Sequence, residues 1–369
     1  MNSIERKIFS RLGASKPDLH HQKQIRQLLS QSADVDHLIG TALKEGIAGL
    51  LYKYLLEAEL LQTLSVEYEK KLESIYYQIL YANLKLTHAL KTVLHQFSQN
   101  NIQVVLLQGI DLIQQVYKDL GLRPMTDIDF WVLPKDYTAL IPILISQGFE
   151  RTPLYPNTFR KDSIIFDIHT HILWADRIPA RRLLIRKGEE DIYRKIGWID
   201  VEGQSARCLD PYDQVIYLSL HVLKHYANRL IWLVDIKSII VQWDETNWVS
   251  FMNRAKELGQ ERTVAYVLFL LSLLLDFHPP PHARRLLQGH KLSVLEKKIL
   301  SKRIEQESLP LWAPVFLFAS GMELRNRLKF TFQSIFPNPE TLRQVFAGSP
   351  ELKVWELYGK RVLQVFGRK

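Results

Sequence analysis

The sequence contains very little cysteine, since Cys208 is the only one among 369 residues. One thiol forms no internal disulfide and builds no thiolate metal site, which excludes a disulfide-stabilised scaffold. The chain therefore suits a reducing compartment, and we expect it in the cytoplasm.

The sequence also lacks a long apolar segment. The most apolar stretch, 264–275, has about 12 residues, whereas a membrane-spanning helix needs about 20, so it predicts a buried helix. The charged segment 1–7 is not followed by the apolar stretch that a signal peptide contains. We expect neither a signal peptide nor a transmembrane segment.

The composition is that of a folded globular protein. Hydrophobic residues make up 47% and charged residues 24%, which excludes disordered and collagen-like chains. At roughly 150 residues per domain, the length allows two or three structural units. Lys and Arg outnumber Asp and Glu, 48 to 39, and the net charge of +9 attracts polyphosphates, nucleic acid or anionic lipid. Because this excess is spread along the chain, nucleic-acid binding is not favoured, and an RNA-binding accessory protein stays as an alternative.

Hydrophobic periodicity divides the chain into three regions. Residues 1–99 carry apolar side chains at three- and four-residue spacing, most clearly over 68–99, and predict a helical N-terminal region. Residues 100–175 contain short β-branched or alternating runs and predict a small mixed sheet with helices. Helical spacing returns over 176–369. We predict an α+β fold, with a small mixed-sheet module flanked by N- and C-terminal helical regions.

The same patterns place the individual elements. Residues 153–163 are rich in turn formers and predict a loop. We expect strands at 104–107, 127–132, 149–152 and 164–173, and helices at 111–120, 135–147, 211–243, 246–258, 261–276, 291–306 and 325–337.

Two aspartates stand out in the second predicted strand. Asp127 and Asp129 are two residues apart, so on a strand they point to the same face, roughly 6.6 Å from each other. Like charges repel, and half-buried carboxylates lose hydration, so the pair is costly unless a cation neutralises it. Mg²⁺, which prefers oxygen ligands, suits them. The alternative is a solvated strand edge with two ordinary surface aspartates.

The fourth predicted strand offers further ligands on one face, Asp167, His169 and His171. A third carboxylate on a neighbouring strand can complete a two-metal site of the kind used in phosphoryl transfer. The pair of histidines can also bind zinc, although the sequence shows no third nitrogen or sulfur donor nearby.

Two further features point to anions. Gln108 and Gly109 lie where the first predicted strand turns into a helix, and a glycine there lets the backbone approach a phosphate closely. Glycine also ends many strands for packing reasons. Arg123 presents a guanidinium fork to a phosphate or orients the carboxylates. Its structural alternative is a salt bridge with Asp127 or Asp129.

Together these segments resemble the polymerase-β-type nucleotidyltransferase superfamily, and more narrowly the bacterial family named uncharacterised nucleotidyltransferase. The resemblance covers roughly residues 102–172 and is weaker over 221–235. It is carried by the strings VVLLQG at 104–109, GLRPMTDIDF at 121–130 and FDIH at 166–169, with Tyr117 between the first two. The family's usual pattern is a strand ending in Lys-Gly, an Arg-Pro-Met-Ser/Thr-Asp-Ile-Asp segment and a later Asp-hydrophobic-His.

The resemblance implies a function and roles for these residues. It implies that Asp127 and Asp129 hold metal ions and that Asp167 is the third carboxylate, which helps to activate the acceptor hydroxyl. It also implies that Gly109 contacts the triphosphate through its backbone. Gln108 departs from the family pattern, because glutamine brings no positive charge to the phosphates.

The C-terminal region contributes a second set of polar residues. His221, His225 and Arg229 are spaced by four and lie along one face of the predicted helix 211–243, with Asp235 continuing it. One hypothesis is that this face holds the acceptor or the base. The alternatives are a partly buried polar seam against the sheet module and a zinc site.

We therefore expect an enzyme that transfers NMP from an NTP, such as ATP, to an acceptor hydroxyl with Mg²⁺ or Mn²⁺ and releases pyrophosphate. Asp127, Asp129 and Asp167 are the expected catalytic carboxylates. Gln108, Gly109, Arg123 and His169 are expected to bind the nucleotide or to orient the site. The acceptor can be a small molecule, a peptide or protein side chain, or an RNA end. The alternative suggested by Gln108 is a weakly active or inactive nucleotide-binding protein of the same fold that regulates a partner.

Overall fold

The computed structural model describes residues 1–13, 19–31, 34–347 and 351–366. The short segments between and after these ranges belong to the predicted terminal helical regions and lie outside the described residues. Helices dominate the described chain, and they surround one mixed β-sheet.

The N-terminal region is helical, as predicted. The longest helix begins after Ser65, whose hydroxyl caps it by accepting from the backbone of Tyr68 at 3.5 Å. Its buried side chains recur at three- and four-residue spacing from Leu72 to Phe97. The five helices are α1 Ser3–Phe9, α2 Leu19–Gln31, α3 Val35–Glu45, α4 Ala48–Glu57 and α5 Val66–Gln99, with a 3₁₀ turn at Leu61–Thr63 between the last two.

Seven strands form the sheet in the order β3-β4-β5-β2-β1-β7-β6. The pairs β2–β5 and β1–β7 are parallel and all others are antiparallel, so the sheet is mixed as predicted. The strands are β1 Val105–Leu107, β2 Ile128–Trp131, β3 Glu150–Arg151, β4 Thr158–Lys161, β5 Ile164–His169, β6 Gly197–Val201 and β7 Gln204–Cys208.

Three strands fall where none was predicted. β4 lies in the expected loop, and the hairpin β6–β7 lies where the chain was expected to be helical, so the sheet extends beyond residue 175. Glu202 and Gly203 join the hairpin, with φ angles of 50° and 84°. A two-residue turn with both φ angles positive matches the twist of paired strands, so this dipeptide was the available signal. β5 in turn ends at His169 rather than at 173.

The first helix of the sheet module differs from the prediction, whereas the predicted helix 135–147 is present at Pro134–Ser146. The predicted helix 111–120 begins earlier, at Gln108, and changes after one turn into a π-helical segment, Ile113–Tyr117. The three α-helices of this part are α6 Gln108–Leu112, α7 Pro134–Ser146 and α8 Glu189–Tyr193, with a 3₁₀ turn at Pro179–Leu184.

The C-terminal region is helical, but the predicted helix 211–243 is two helices. The chain reverses where Tyr226 and Ala227 adopt left-handed φ angles of 60° and 48°, which folds α10 back beside α9. The helices are α9 Pro211–Lys224, α10 Ile231–Ile240, α11 Glu245–Leu258, α12 Glu261–Leu275, α13 Pro281–Leu286, α14 Val294–Gln306, α15 Ala313–Ser320, α16 Leu324–Ile335, α17 Pro339–Val345 and α18 Val354–Phe366, with a 3₁₀ turn at Gln288–His290.

The apolar stretch 264–275 lies within α12, which is buried in the core as predicted. Of the helices that the structure describes, none combines the length and the apolarity that crossing a membrane demands.

The two faces of the sheet are covered by different parts of the chain. Phe130 and Phe166 pack with Phe97 of α5 on one face. Leu107 and Trp131 belong to the core on the other face, which the C-terminal helices share. Side chains of a strand alternate between faces, so Asp129 shares the second face with Trp131. The aspartates thus point toward the C-terminal helices.

Two ionisable groups are buried near the centre of the sheet module. Cys208 of β7 is 5% exposed, and burial raises its pKa to about 11. Asp111 of α6 is 1% exposed and accepts hydrogen bonds from Gln115, at 2.5 Å, and from Gln214 of α9. Burial raises the pKa of Asp111 to about 7, so its carboxyl keeps a proton in conditions where an exposed aspartate is ionised.

We predict that Asp111 makes stability depend on pH. The unfolded chain releases this proton near pH 3.8 and the folded protein only near pH 7, so the free energy of unfolding falls as the pH rises between these values. Through this group it should fall by about 2 kcal/mol between pH 5 and pH 7. Urea unfolding of Asp111→Asn should lack this part of the dependence, whereas the exposed control Asp162→Asn should retain it. A parallel pH dependence in both variants would contradict the prediction.

Candidate functional site

Parallel pairing of β2 with β5 brings two of the predicted carboxylates side by side. Asp129 is in register with Asp167, and Trp131 is in register with His169. Asp127 comes immediately before β2, two residues ahead of Asp129. The three carboxylates and His169 line one pocket, so the structure assembles the group that the sequence predicted from separate segments.

Asp129, Asp167 and His169 form a compact cluster. Nε2 of His169 lies 2.8 Å from Oδ1 of Asp129 and 3.7 Å from Oδ2 of Asp167. The hydroxyl of Thr158 donates to the other oxygen of Asp167 at 2.9 Å. One potential ligand atom from each member of the cluster lies within 4.8 Å of the others. Small movements of these side chains suffice to surround one cation.

The charged groups in this part of the pocket shift the pKa values of their neighbours. Burial, together with the charge of Asp129, raises the pKa of Asp127 to about 6. A hydrogen bond from Thr126 lowers this pKa, but by less. Burial alone would lower the pKa of His169, but its hydrogen bond with Asp129 and the charge of Asp167 raise it overall. The carboxylates therefore favour a positive charge beside them.

The donor set fits a cation that prefers oxygen. Carboxylate oxygens predominate and one imidazole joins them, which suits Mg²⁺ or Mn²⁺. The second histidine of the predicted zinc pair is elsewhere, because Nδ1 of His171 lies 3.2 Å from Glu189 and its Nε2 lies 2.8 Å from Arg182. Within the described residues, His171 does not belong to a cluster of potential metal ligands.

The turn between β1 and α6 forms the next wall. Gln108 has a left-handed φ of 54°, and its amide donates to the hydroxyl of Tyr217 at 3.1 Å. At Gly109 a methyl group would lie 2.7 Å from Nη1 of Arg123 and 2.8 Å from the side chain of Met125. Close packing against these two side chains therefore requires glycine here, and the backbone remains part of the pocket wall.

Arg123 is held by Asp235, and not by the aspartates of β2 that the sequence suggested as structural partners. Its Nη2 donates to Oδ2 of Asp235 at 2.9 Å, and its Nε donates to both carboxylate oxygens at 3.0 and 3.1 Å. Tyr117 donates to the same carboxylate at 2.6 Å. Asp235 is fully buried behind the pocket, whereas Arg123 lines it.

The histidines of the C-terminal half do meet the pocket. The rings of His221 and His225 have centroids 4.4 Å apart, and Trp232 lies 5.0 and 5.3 Å from them. Burial and nearby positive charges lower the pKa of His225 to about 3 and that of His221 well below its usual value, so both imidazoles are neutral. Arg229 lines the pocket from the turn between α9 and α10, not from a continuous helix.

Three pocket residues were missed by sequence reasoning. Lys224 lies on the face of α9 that carries Tyr217 and His221, and its Nζ lies 3.2 Å from the ring centre of Trp174. Arg177 lines the same wall. The i, i+4, i+7 spacing of 217, 221 and 224 was the signal that could have shown Lys224. Trp174 and Arg177 follow β5 in an irregular segment, which gave no periodic signal.

The pocket has a volume of about 310 Å³ and separates the sheet from α9 and α10. Acidic side chains line its sheet side, and cationic side chains line the side of the helices and of the segment after β5. Arg123 adds a further cation from the loop before β2. The pocket is lined by Gln108, Gly109, Arg123, Pro124, Met125, Thr126, Asp127, Asp129, Asp167, His169, Trp174, Arg177, His221, Lys224, His225, Arg229, Ile231 and Trp232.

We expect Asp235→Asn to destabilise the protein by about 3 kcal/mol, because it leaves the buried guanidinium of Arg123 without a counter-charge. Equilibrium unfolding in urea measures this loss. The control Glu307→Gln removes an exposed ion pair with Lys44 and should cost less than about 1 kcal/mol. Equal losses of unfolding free energy in the two variants would show that the buried pair stabilises the protein no more than an exposed pair does.

Comparison with known proteins gives one match. No curated protein and no solved structure matches this chain. The sequence model of a family described as uncharacterised nucleotidyltransferase matches residues 31–276. The match spans more than half of the chain and includes the whole sheet and every residue that lines the pocket. The chain therefore belongs to the uncharacterised nucleotidyltransferase family.

Proposed function

We propose that the protein transfers NMP from an NTP to an acceptor hydroxyl with the help of Mg²⁺ or Mn²⁺ and releases pyrophosphate. The observation that carries this proposal is the register of β2 with β5, which places Asp129 beside Asp167 in a pocket that Asp127 also lines. Membership of a nucleotidyltransferase family supports the class of reaction.

Asp127, Asp129 and Asp167 would hold the divalent cation, with His169 beside them. When bound, the cation would neutralise phosphate charge and polarise the reacting oxygens. The raised pKa of Asp127 supports this assignment, since a cation would relieve the repulsion that a proton relieves in its absence.

Asp167 would act as the general base. In the proposed reaction the acceptor oxygen forms a bond to the α-phosphorus, and the bond from that phosphorus to the bridging oxygen of the β-phosphate breaks. Asp167 accepts the proton of the hydroxyl, and pyrophosphate carries away the electron pair of the broken bond. Thr158 orients this carboxylate by donating to Oδ1 at 2.9 Å, which leaves Oδ2 toward His169.

Gly109 and Arg123 would contact the phosphates from the β1 side of the pocket. The ion pair with Asp235 uses Nε and Nη2 of Arg123, while Nη1 lies against Gly109. Arg123 is therefore fixed in position before a phosphate arrives, which lowers the entropic cost of binding. We also propose a cytoplasmic location, which the single cysteine suggests.

One observation favours a second candidate, a nucleotide-binding protein with little or no turnover. Gln108 is neutral and its amide is engaged by Tyr217, so this position contributes no charge to the departing pyrophosphate. Tight NTP binding without pyrophosphate release, across acceptors of several hydroxyl classes, would support this second function.

The first prediction of the proposed function concerns nucleotide binding. Titration calorimetry should detect binding of an NTP, such as ATP, that depends on Mg²⁺. Asp127→Asn/Asp129→Asn should weaken it by at least about tenfold, because two carboxylates that hold the cation are neutralised. The control Asp162→Asn/Asp200→Asn removes two exposed acidic groups, one from the turn between β4 and β5 and one from β6, and should leave the affinity unchanged.

Two results would contradict the proposal. One is binding of NTP that is equally strong with and without Mg²⁺ and in the Asp127→Asn/Asp129→Asn variant. The other is the absence of binding for all four NTPs, in which case the fold would serve a purpose other than nucleotidyl transfer.

A further inference from the structure

We propose that the acceptor carries a phosphate group, which Arg177, Arg181 and Lys224 bind beside Trp174. This inference rests on the proposed function and adds the chemical class of the second substrate. It is carried by three cations, hereafter the basic wall (Arg177, Arg181 and Lys224). Arg177 and Lys224 line the pocket, and Arg181 lies against Trp174.

The basic wall lies on the side of the pocket where the acceptor would enter. Arg177 and Arg181 belong to the segment that follows β5, the strand of Asp167. Gly109, which would contact the triphosphate, follows β1, and β2 separates β1 from β5 in the sheet. The proposed base and the two arginines of the basic wall therefore lie to one side of β2, and the proposed triphosphate contact lies to the other. Lys224 of α9 joins the arginines through its contact with Trp174.

The described part of the chain offers no counter-ion to any cation of the basic wall. Among the residues that the structure describes, no carboxylate oxygen lies within 4.0 Å of their charged nitrogens, and their side chains form no hydrogen bond. The acidic groups whose charges reach Lys224 are Asp129 and Asp167, which the proposed cation would neutralise. Asp176 influences Arg181 from beyond ion-pair distance.

Elsewhere in this protein, buried arginines are paired with carboxylates. The distance between the paired atoms is 2.9 Å or less in the following ion pairs, Arg123–Asp235, Arg254–Asp213 and Arg303–Glu45. A half-buried cation without such a partner is costly, so Arg177 and Lys224 at the pocket wall, with Arg181 beside them, indicate a missing anion.

Trp174 contacts two of these three cations. Nζ of Lys224 lies 3.2 Å and Cζ of Arg181 lies 5.9 Å from its ring centre. These cation–π contacts offset part of the repulsion between the cations. Burial and the charges of Arg181 and Arg177 still lower the pKa of Lys224 well below its usual value. An anion with two charges would relieve this repulsion more than one with a single charge, which favours phosphate over carboxylate.

The test is a titration with inorganic phosphate. The protein is first saturated with Mg²⁺ and a non-hydrolysable ATP analogue, and phosphate binding is measured by calorimetry. Arg177→Gln/Arg181→Gln should weaken phosphate binding by at least about tenfold and change the affinity for the analogue by less than about threefold. Lys224→Met, which changes a different element, should give the same result and guards against a local folding defect in the first variant.

Matched controls come from the same segment. Arg182→Gln/Arg186→Gln also removes two arginines, both exposed, and should leave phosphate binding unchanged. Thermal melting shows whether each variant is folded. Acetate should bind at least about tenfold more weakly than phosphate, because it carries one charge where the phosphate dianion carries two.

Four outcomes would overturn the proposal. Competition between phosphate and the ATP analogue would assign the basic wall to the nucleotide itself. Acetate binding as tight as phosphate binding would point to a carboxylate. Phosphate binding that is absent, or equal in the variants and the wild type, would show that the basic wall is not a phosphate subsite. It would not contradict nucleotide binding. If the ATP analogue does not bind the wild type, the proposed function fails first, and the assignment to an acceptor fails with it.

Discussion

The buried ion pair between Arg123 and Asp235 is the interaction on which the arrangement of the pocket depends. Arg123 belongs to the loop that leads into β2, and Asp235 belongs to α10, so their three hydrogen bonds join the sheet to the C-terminal helices. Tyr117 completes the contact from the π-helical segment. Because both charges are removed from water, neither side is free to move without leaving an unpaired charge. The width of the pocket between the two parts follows from this pair.

The sequence alone predicted the elements with a strong hydrophobic periodicity, and it predicted the pair of aspartates on one face of a strand. The long helix α5 and the buried helix α12 were predicted from apolar spacing. Alternation along β2 placed Asp127 and Asp129 together. Alternation does not say which strand lies next, and the expectation that Asp167 joins them came from resemblance to a family. The parallel register of β2 with β5 agrees with it.

The remaining features depended on contacts distant in sequence. Asp235 is 112 residues from Arg123, and no local pattern identifies such a partner. The strands β6 and β7 pair with each other, and β7 also pairs with β1, which is distant in sequence. The spacing of Lys224 places it on the face of α9 that carries Tyr217 and His221, but the spacing alone does not say that this face meets the sheet.

The burial of Cys208 has a practical consequence for spectroscopy. Thiol reagents react with the thiolate, and a buried group with a pKa of about 11 offers almost none at neutral pH. A cysteine introduced at an exposed position near the pocket would thus be labelled selectively, without removal of the native one. A fluorophore or spin label attached there would report the arrival of each substrate in a chain that otherwise keeps its natural sequence.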